Sequence, residues 1–372
     1  MTNDRLVLLA VGDVGPIHEP MENYSALARE TLRGADLRFA QVERVYSDLG
    51  ALQLHSGGEH SRVKPQFASV FDDCGFDIVS VASNHAMDWG PEAMLDSIEL
   101  FRRKGIATVG AGRNLEEARK PAFIERNGIR IAFLAYCTVL REGYTADKTK
   151  AGVAPLRAHT YYEAFDYQAG VPPRVVTVPY EEDLKNVIED IKEARKSAQA
   201  VVVSLHWGIH FIPRVVADYQ KTVSKAVCEA GADLILGHHA HVPKAIESRN
   251  GHVCFYSLSN FMMSAREKNA HQAEVFRQRY TAALDPEYPR LPYGGDAKRS
   301  MIAKAVFNKT GLEKASFLPV LIDKQLRPEV LAHGDSRFTD ALQYMEWASE
   351  GFPHAFAVEG DEVVVRDAAA AR

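Results

Sequence analysis

Four short, almost continuously apolar runs constrain the fold most: "RLVLLAV" (5–11), "FDIVSVAS" (76–83), "AVVVSL" (200–205) and "DLILG" (233–237). A strand with one wet face alternates polar and apolar residues, whereas a strand apolar on both sides must be covered on both. Helical segments lie between the runs. The clearest is "GPEAMLDSIELFRRKG" (90–105), with Pro91 at the first helical position, Arg102, Arg103 and Lys104 in the last turn, and Gly105 at its end. Strand–helix alternation of this kind predicts an α/β fold. Asn127-Gly128 and Asn250-Gly251, each between strand-like runs, predict two-residue hairpin turns, and 301–323 reads as a third hairpin. Antiparallel strands therefore join the parallel ones, and the sheets are mixed.

The 372 residues are 46% hydrophobic and 25% charged, which is ordinary for a globular chain and excludes disorder and coiled coil. A net charge of −5 gives no basic nucleic-acid footprint. The apolar run Leu6–Val11 follows Asp4 and is shorter than the roughly 7–15 residues of a signal peptide, and no run approaches the roughly 20 residues of a membrane span. The expectation is a cytoplasmic protein with no membrane segment. Cys74, Cys137, Cys228 and Cys254 are widely spaced and form no CxxC pair. The simplest organisation is a single domain over 1–330, with irregular excursions at 141–180 and 264–299, followed by a C-terminal extension over 331–372.

The chemically suggestive residues share one address: each follows an apolar strand at its C-terminal end. "LLAVGDVG" delivers Asp13, "FAQVER" delivers Glu43, and "VSVASNHAMDWG" delivers Asn84, His85 and Asp88. "VVVSLHWG" delivers His206, and "DLILGHHAH" delivers His238, His239 and His241. Open α/β sheets bind ligands beyond the carboxyl ends of their strands. Singly, Asp13 could cap a turn, Asn84 could form an Asx turn, and His206 could be a packed histidine. Five strand ends converging on one crevice are better explained together, by a binuclear metal site with mixed nitrogen and oxygen ligands. Imidazole and carboxylate suit Mn, Fe, Zn or Co without choosing among them. Arg44, Arg62, Lys64 and Arg113 could border the crevice, but scattered cations read as a solvated face and are left out of the site.

The order of these groups resembles that of the calcineurin-like metallophosphoesterases. The wording resembles more closely the CapA family, named for poly-γ-glutamate capsule synthesis: "GDV" (12–14), "QVE" (41–43), "SNHAMDWG" (83–90), "HWG" (206–208), "GHHAHV" (237–242) and "YSLSNF" (256–261). The resemblance runs from about residue 5 to 263, with a weaker tail to about 330. It implies a metallophosphoesterase-like α/β/β/α sandwich holding one or two divalent transition metal ions, Mn, Fe or Zn. Asp13 would hold one metal and Glu43 would bridge. Asn84 and His206 would hold the second, and His239 and His241 would complete the pair. His238 could exchange roles with His239. His85 stands where the phosphoesterases keep a general acid, and Asp88 could orient it. Together with His206, these are the candidate catalytic residues. Where the phosphoesterases have D-x-H this chain has Gly15, with His18 nearby. Gln41 and Ser83 replace the usual Asn, and Ser259 replaces a Gly.

The leading expectation is a metal-dependent hydrolase acting through metal-bound hydroxide on a γ-glutamyl-like amide or a phosphoester. The same pocket could instead epimerise or isomerise a peptide or amino-acid derivative. A third reading is a non-catalytic accessory of capsule-polymer synthesis with a structural metal. The expected partner is a small-molecule or peptide substrate, and the oligomeric state is left open. The aromatic segment "HTYYEAFDY" (159–167) could serve such a substrate or be a surface loop.

Overall fold

The computed structural model describes residues 4–54, 56 and 59–367. Two mixed sheets lie face to face between layers of helix, the α/β/β/α arrangement. The first sheet has ten strands and is centred on Leu6–Gly15. On one side of that strand Leu37–Val42, Ile78–Ser80 and Ala107–Val109 follow in parallel. On the other, Arg299–Asn308 and Gly311–Ile322 run antiparallel. Asn260–Met263 lies parallel against the C-terminal half of Leu6–Gly15, pairing Asp13 with Asn260. Only glycine fits at residue 12, where an added Cβ would sit 1.9 Å from the Ser259 carbonyl oxygen. The second sheet has six strands. Ala200–His206 sits between Ile129–Cys137 and Leu234–His238, all parallel, and antiparallel hairpins close both edges. Both hairpin turns place two left-handed residues at the tip: Asn127 (φ 54°) with Gly128 (φ 70°), and Asn250 (φ 53°) with Gly251 (φ 80°). Their mirror-image twist matches that of the strands.

The continuous apolar runs are buried on both faces because their alternate residues serve different layers. Ala200 and Val202, with Ile131 and Phe133, face the first sheet across the seam. Val201, Val203 and Leu205 face the helices Glu181–Arg195 and Asp218–Ala230, meeting Val187, Ile191, Val223 and Val227. Phe39 and Phe133 stack across the seam with centroids 6.1 Å apart. Each such fully buried side chain contributes about 1.5–3 kcal/mol. On the outer face of the first sheet, Gly90–Arg103 and Ser69–Cys74 lock together through Phe101 and Phe71, whose rings meet edge to face at 4.9 Å.

The two stretches expected to be irregular contain regular structure. Within 264–299 lies the helix Ala270–Tyr280, closed at its start by a reciprocal pair: Gln272 N–H donates to the Asn269 side chain, and Asn269 N–H to that of Gln272. Its periodicity is invisible in the sequence because Phe276 is its one buried residue. Within 141–180, Ala158–Glu163 and Arg174–Pro179 form a hairpin that lies largely exposed. Beyond residue 330, the strand Glu362–Arg366 pairs with Gly311–Ile322 and so joins the first sheet. Among the described residues, no helix is long and apolar enough to cross a membrane.

Candidate metal centre

Both sheets end their parallel strands at the same place, and the side chains expected to matter meet there. Asp13 closes the apolar part of Leu6–Gly15, and Glu43 is the residue after Leu37–Val42. His206 and His238 are the last residues of their strands. One donor atom each from Asp13, Glu43 and His206 lies within 4.8 Å of the others. His241 brings Nδ1 to 3.5 Å from Asp13 Oδ2 and Nε2 to 3.8 Å from Glu43 Oε1. His238 Nδ1 lies 3.7 Å from Asp13 Oδ1. On the other side of Glu43, His206 Nε2 is 3.6 Å from Glu43 Oε2 and 2.7 Å from Asn84 Oδ1. His239 Nδ1 is 3.3 Å from the same Asn84 oxygen. Glu43 thus stands between two groups of donors: Asp13, His238 and His241, and Asn84, His206 and His239.

The chain after "DLILG" bends sharply to achieve this. His239 (φ 85°) and His241 (φ 57°) both adopt left-handed backbone, as does Ser259 (φ 68°) where the resemblance expects a glycine. Such conformations cost non-glycine residues on the order of 1–3 kcal/mol each and persist where surrounding structure enforces them. Here the His239 N–H donates to Asp13 Oδ2 at 3.3 Å, and the Asn260 amide donates to the His241 carbonyl at 3.1 Å while its oxygen meets His241 Nδ1 at 2.7 Å. Asn260, in "YSLSNF", escaped the strand-end reading because it begins a strand instead of following one. Ser83, another departure from the family wording, ties two candidates together: its hydroxyl donates to Glu43 Oε2 at 3.1 Å and accepts from the His85 N–H at 3.1 Å.

The donors fit a cation. Asp13 Oδ1, Glu43 Oε1, His206 Nδ1 and both ring nitrogens of His238 are buried without a hydrogen-bond partner among the described residues. Leaving that many buried polar atoms unpaired costs on the order of 1–3 kcal/mol apiece. Burial alone drives Asp13 up to about 8, and burial with the Asp13 charge holds Glu43 well above the carboxylate range. Burial drives His238 and His241 down to about 3 and His206 and His239 well below the usual imidazole range. Neutral imidazoles keep the lone pairs a metal needs, and a bound cation reverses the cost of ionising the two acids.

His85 stands beside the cluster, with Nε2 3.9 Å from Glu43 Oε1. Its Nδ1 meets Asp88 Oδ2 at 2.6 Å, and the other Asp88 oxygen accepts from the Tyr144 hydroxyl at 2.7 Å. Asp88 itself is fully buried. Tyr144 lies in an expected excursion and carried no sequence signal. A cleft of about 560 Å³ opens onto Glu43, Asn84, His85 and His241. Its walls include His60 and His210, both missed by the sequence reading. His210 lies four residues past His206, with its ring centroid 3.7 Å from that of His239. The aromatic segment 159–167 does not line this cleft: Tyr162, Phe165 and Tyr167 are exposed on the hairpin and the loop beyond. Arg44 is a buried structural cation, donating to the carbonyls of Gly15, His60 and Ser264.

The family model described as bacterial capsule synthesis protein PGA_cap matches residues 8–265. The PGA biosynthesis protein CapA of Bacillus subtilis (strain 168) is 34% identical over 204 residues, 55% of this chain and 47% of that protein. The capsule biosynthesis protein CapA of Bacillus anthracis is 27% identical over 230 residues, 61% of this chain and 50% of that one. A probable polyglutamine synthesis accessory protein of Mycobacterium tuberculosis (strain ATCC 25618 / H37Rv) is 23% identical over 215 residues, covering 56% and 51%. The chain spans about half the length of these relatives. Among solved structures, a hypothetical protein from Thermus thermophilus aligns with TM-score 0.43 at 15% identity, covering 84% of this chain and 98% of its own. The calcineurin-like phosphoesterase YfkN from Bacillus subtilis aligns with TM-score 0.36 at 11% identity, covering 93% and 97%.

Proposed function

The chain belongs to the bacterial capsule synthesis protein PGA_cap family, and from that membership and the geometry of the crevice we propose that it is a metal-dependent hydrolase cleaving a γ-glutamyl-like amide or a phosphoester. Asp13, His238 and His241 would hold one divalent ion, Asn84, His206 and His239 a second, with Glu43 shared. Bound there, the ions supply Lewis acidity toward the scissile group and toward water. The protein's own part is positioning and proton transfer. Asp88 grips His85 Nδ1, so Nε2 faces the cleft and can give its proton to the leaving group. The Tyr144 hydroxyl fixes Asp88, and Ser83 holds Glu43 and the His85 backbone in one register.

One observation carries this reading: Glu43, which keeps a buried oxygen without a partner among the described residues, lies on the wall of an open cleft that Asn84 and His241 also line. A structural site is closed by protein ligands, whereas a catalytic site keeps a position open to substrate. The test is elemental analysis of the purified protein beside a His239→Ala, His241→Ala double variant, followed by a screen of phosphoesters and γ-glutamyl peptides with mass analysis of products. The expected result is one or two equivalents of transition metal, lost in the double variant, and metal-dependent formation of two fragments. Bound metal with no turnover would leave an accessory role, the one a relative's name carries. Turnover at unchanged mass would transfer the site to epimerisation.

A further inference from the structure

Beyond the cleft lies a second concavity that the proposed reaction does not use. A recess of about 650 Å³ is lined by His18, Arg62, Lys64, Arg266 and Arg290, with Glu19 the one acid among the described residues of its wall. It adjoins the cleft. The two share His60, and a bridging pocket shares His60 and Lys268 with the cleft and His60 and Arg266 with the recess. We propose that this recess is a second binding site, for an oxyanion: a carboxylate or phosphate group carried by the ligand at a distance from the reacting bond.

The cations and their partners point to this. Among the described residues Arg62 is held in place without a carboxylate: it donates to the carbonyls of Leu49 at 3.0 Å and Gly50 at 3.4 Å, and its guanidinium lies 3.6 Å from the centroid of the Trp89 ring. Lys64 and Arg266 make no ion pair among the described residues. Arg290 reaches Glu267 only at 3.5 Å, with 55% and 59% of the two side chains exposed, a pairing worth little in water. Cations scattered on a convex face are simply solvated. Cations gathered around one concave, protein-walled recess focus their fields inside it and raise the local concentration of anions. Guanidinium groups match carboxylate and phosphate geometry bidentately, which suits Arg62 and Arg266 to either.

The recess adjoins the candidate acid: the His60 ring, on the wall of both cleft and recess, packs edge-on against His85 at 5.4 Å. That the anion is carried by the ligand of the cleft rests on the proposed reaction, whereas the site itself does not.

The test is titration calorimetry on the full chain, as purified, at fixed ionic strength near 0.1 M, with hexaglutamate and tripolyphosphate as probes. Three further proteins are compared with wild type: Lys64→Gln with Arg266→Gln, the charge reversal Arg266→Glu alone, and Glu43→Gln, which removes the shared metal ligand. Lys64 and Arg266 are exposed, so melting curves matching wild type are expected and exclude misfolding. The proposal expects at least one probe to bind, about tenfold or more weakly in the Lys64/Arg266 variants, and within about twofold of wild type in Glu43→Gln. Preference for hexaglutamate assigns a carboxylate, and preference for tripolyphosphate a phosphate. No binding of either probe to wild type, unchanged affinity in the Lys64/Arg266 variants, or a loss confined to Glu43→Gln overturns the site. None of these outcomes bears on whether the metal centre hydrolyses anything.

Discussion

The two sheets bring opposite chemistry to one seam. The first delivers the acids, Asp13 and Glu43, together with Asn84, His85 and Asp88. The second delivers only imidazoles from its two central strands, His206 and His238, then His239 and His241. Burial acts on the halves in opposite directions, pushing the carboxyls toward the protonated form and the imidazoles toward the neutral one. The halves therefore do not neutralise each other as ion pairs. Their closest approaches, 3.5–3.8 Å between Asp13 or Glu43 and His206, His238 or His241, form no hydrogen bond, so buried atoms on both sides stay unpaired. The histidine half is already in its ligand form, whereas the acid half is held in the wrong form until a cation arrives. The sheets meet, but a cation completes the junction.

The sharpest way to break this comparison is to remove one charge from the acid half. Glu43→Gln keeps the volume and deletes the carboxylate between the two donor groups. Metal-dependent activity should fall about 10³-fold, since several kcal/mol of charge stabilisation depends on the ions it would bind. The metal-free variant should melt no lower than metal-free wild type at pH 8, because a strained buried acid has gone. His239→Ala with His241→Ala should also lose metal but melt lower, having lost packing from the ready-made half. Equal melting behaviour of the two variants would mean the halves do not differ as described.

The next effect concerns His85, which comes from the acid sheet but is gripped by Asp88 rather than aimed at the cluster. His85→Asn should cost about 10²-fold in rate, the contribution of a positioned general acid, with metal content unchanged. The loss should be largest for substrates with basic leaving groups and smallest for those that leave without a proton. A uniform loss across leaving groups would remove His85 from proton transfer.

Both halves were legible in the sequence for one physical reason. A strand buried on both faces cannot carry polar residues inside it, so its chemistry collects at its end, and the apolar runs point directly at Asp13, Glu43, His206 and the "HHAH" segment. The layered fold followed from the same runs and from the two Asn-Gly turns. What stayed hidden lies on elements without that signature. Ala270–Tyr280 buries only Phe276 and so has no apolar stripe to read. Tyr144 reaches the site from a loop and His60 from a single 3-10 turn, and Asn260 begins its strand instead of ending it. Arg62 and Lys64 were read as a solvated face, and Lys64 is exposed; what a sequence does not show is that Arg266 and Arg290, some two hundred residues away, line the same recess.

Acidity sharpens the comparison further, since the two halves set opposite limbs of the stability curve. Well above pH 6.5 the imidazoles are neutral in folded and unfolded chains alike. Asp13, raised to about 8 in the fold, still binds a proton that the unfolded chain has lost, as does Glu43. The metal-free protein should therefore lose stability as pH rises from 6.5 to about 8, with buried Lys244, lowered to about 7, opposing part of that loss. Below 6.5 the unfolded chain protonates His206, His238, His239 and His241, which the fold keeps neutral down to about 3 for His238 and His241. These imidazoles outnumber the two acids, so stability also falls on acidification. Melting scans on chelator-treated protein should peak near pH 6.5, and added divalent metal should remove the alkaline limb. A metal-free melting point higher at pH 8.5 than at 6.5 would contradict the assignment of the acid half.

The smallest expected effect lies one residue further from the seam. Tyr144→Phe removes a hydroxyl that donates to a fully buried carboxylate at 2.7 Å, leaving Asp88 Oδ1 without that partner. A hydrogen bond to a charged group is worth about 1.5–3 kcal/mol, but Asp88 retains its contact with His85 Nδ1, and relaxation should leave a rate loss of about tenfold at the lower end of that range. Metal content and KM should not move, because Tyr144 touches neither the donors nor the proposed ligand path. If the loss appears in KM instead, Tyr144 acts by holding the loop at the cleft. If kcat is unchanged, Asp88 orients His85 without help, and the acid half ends at Asp88.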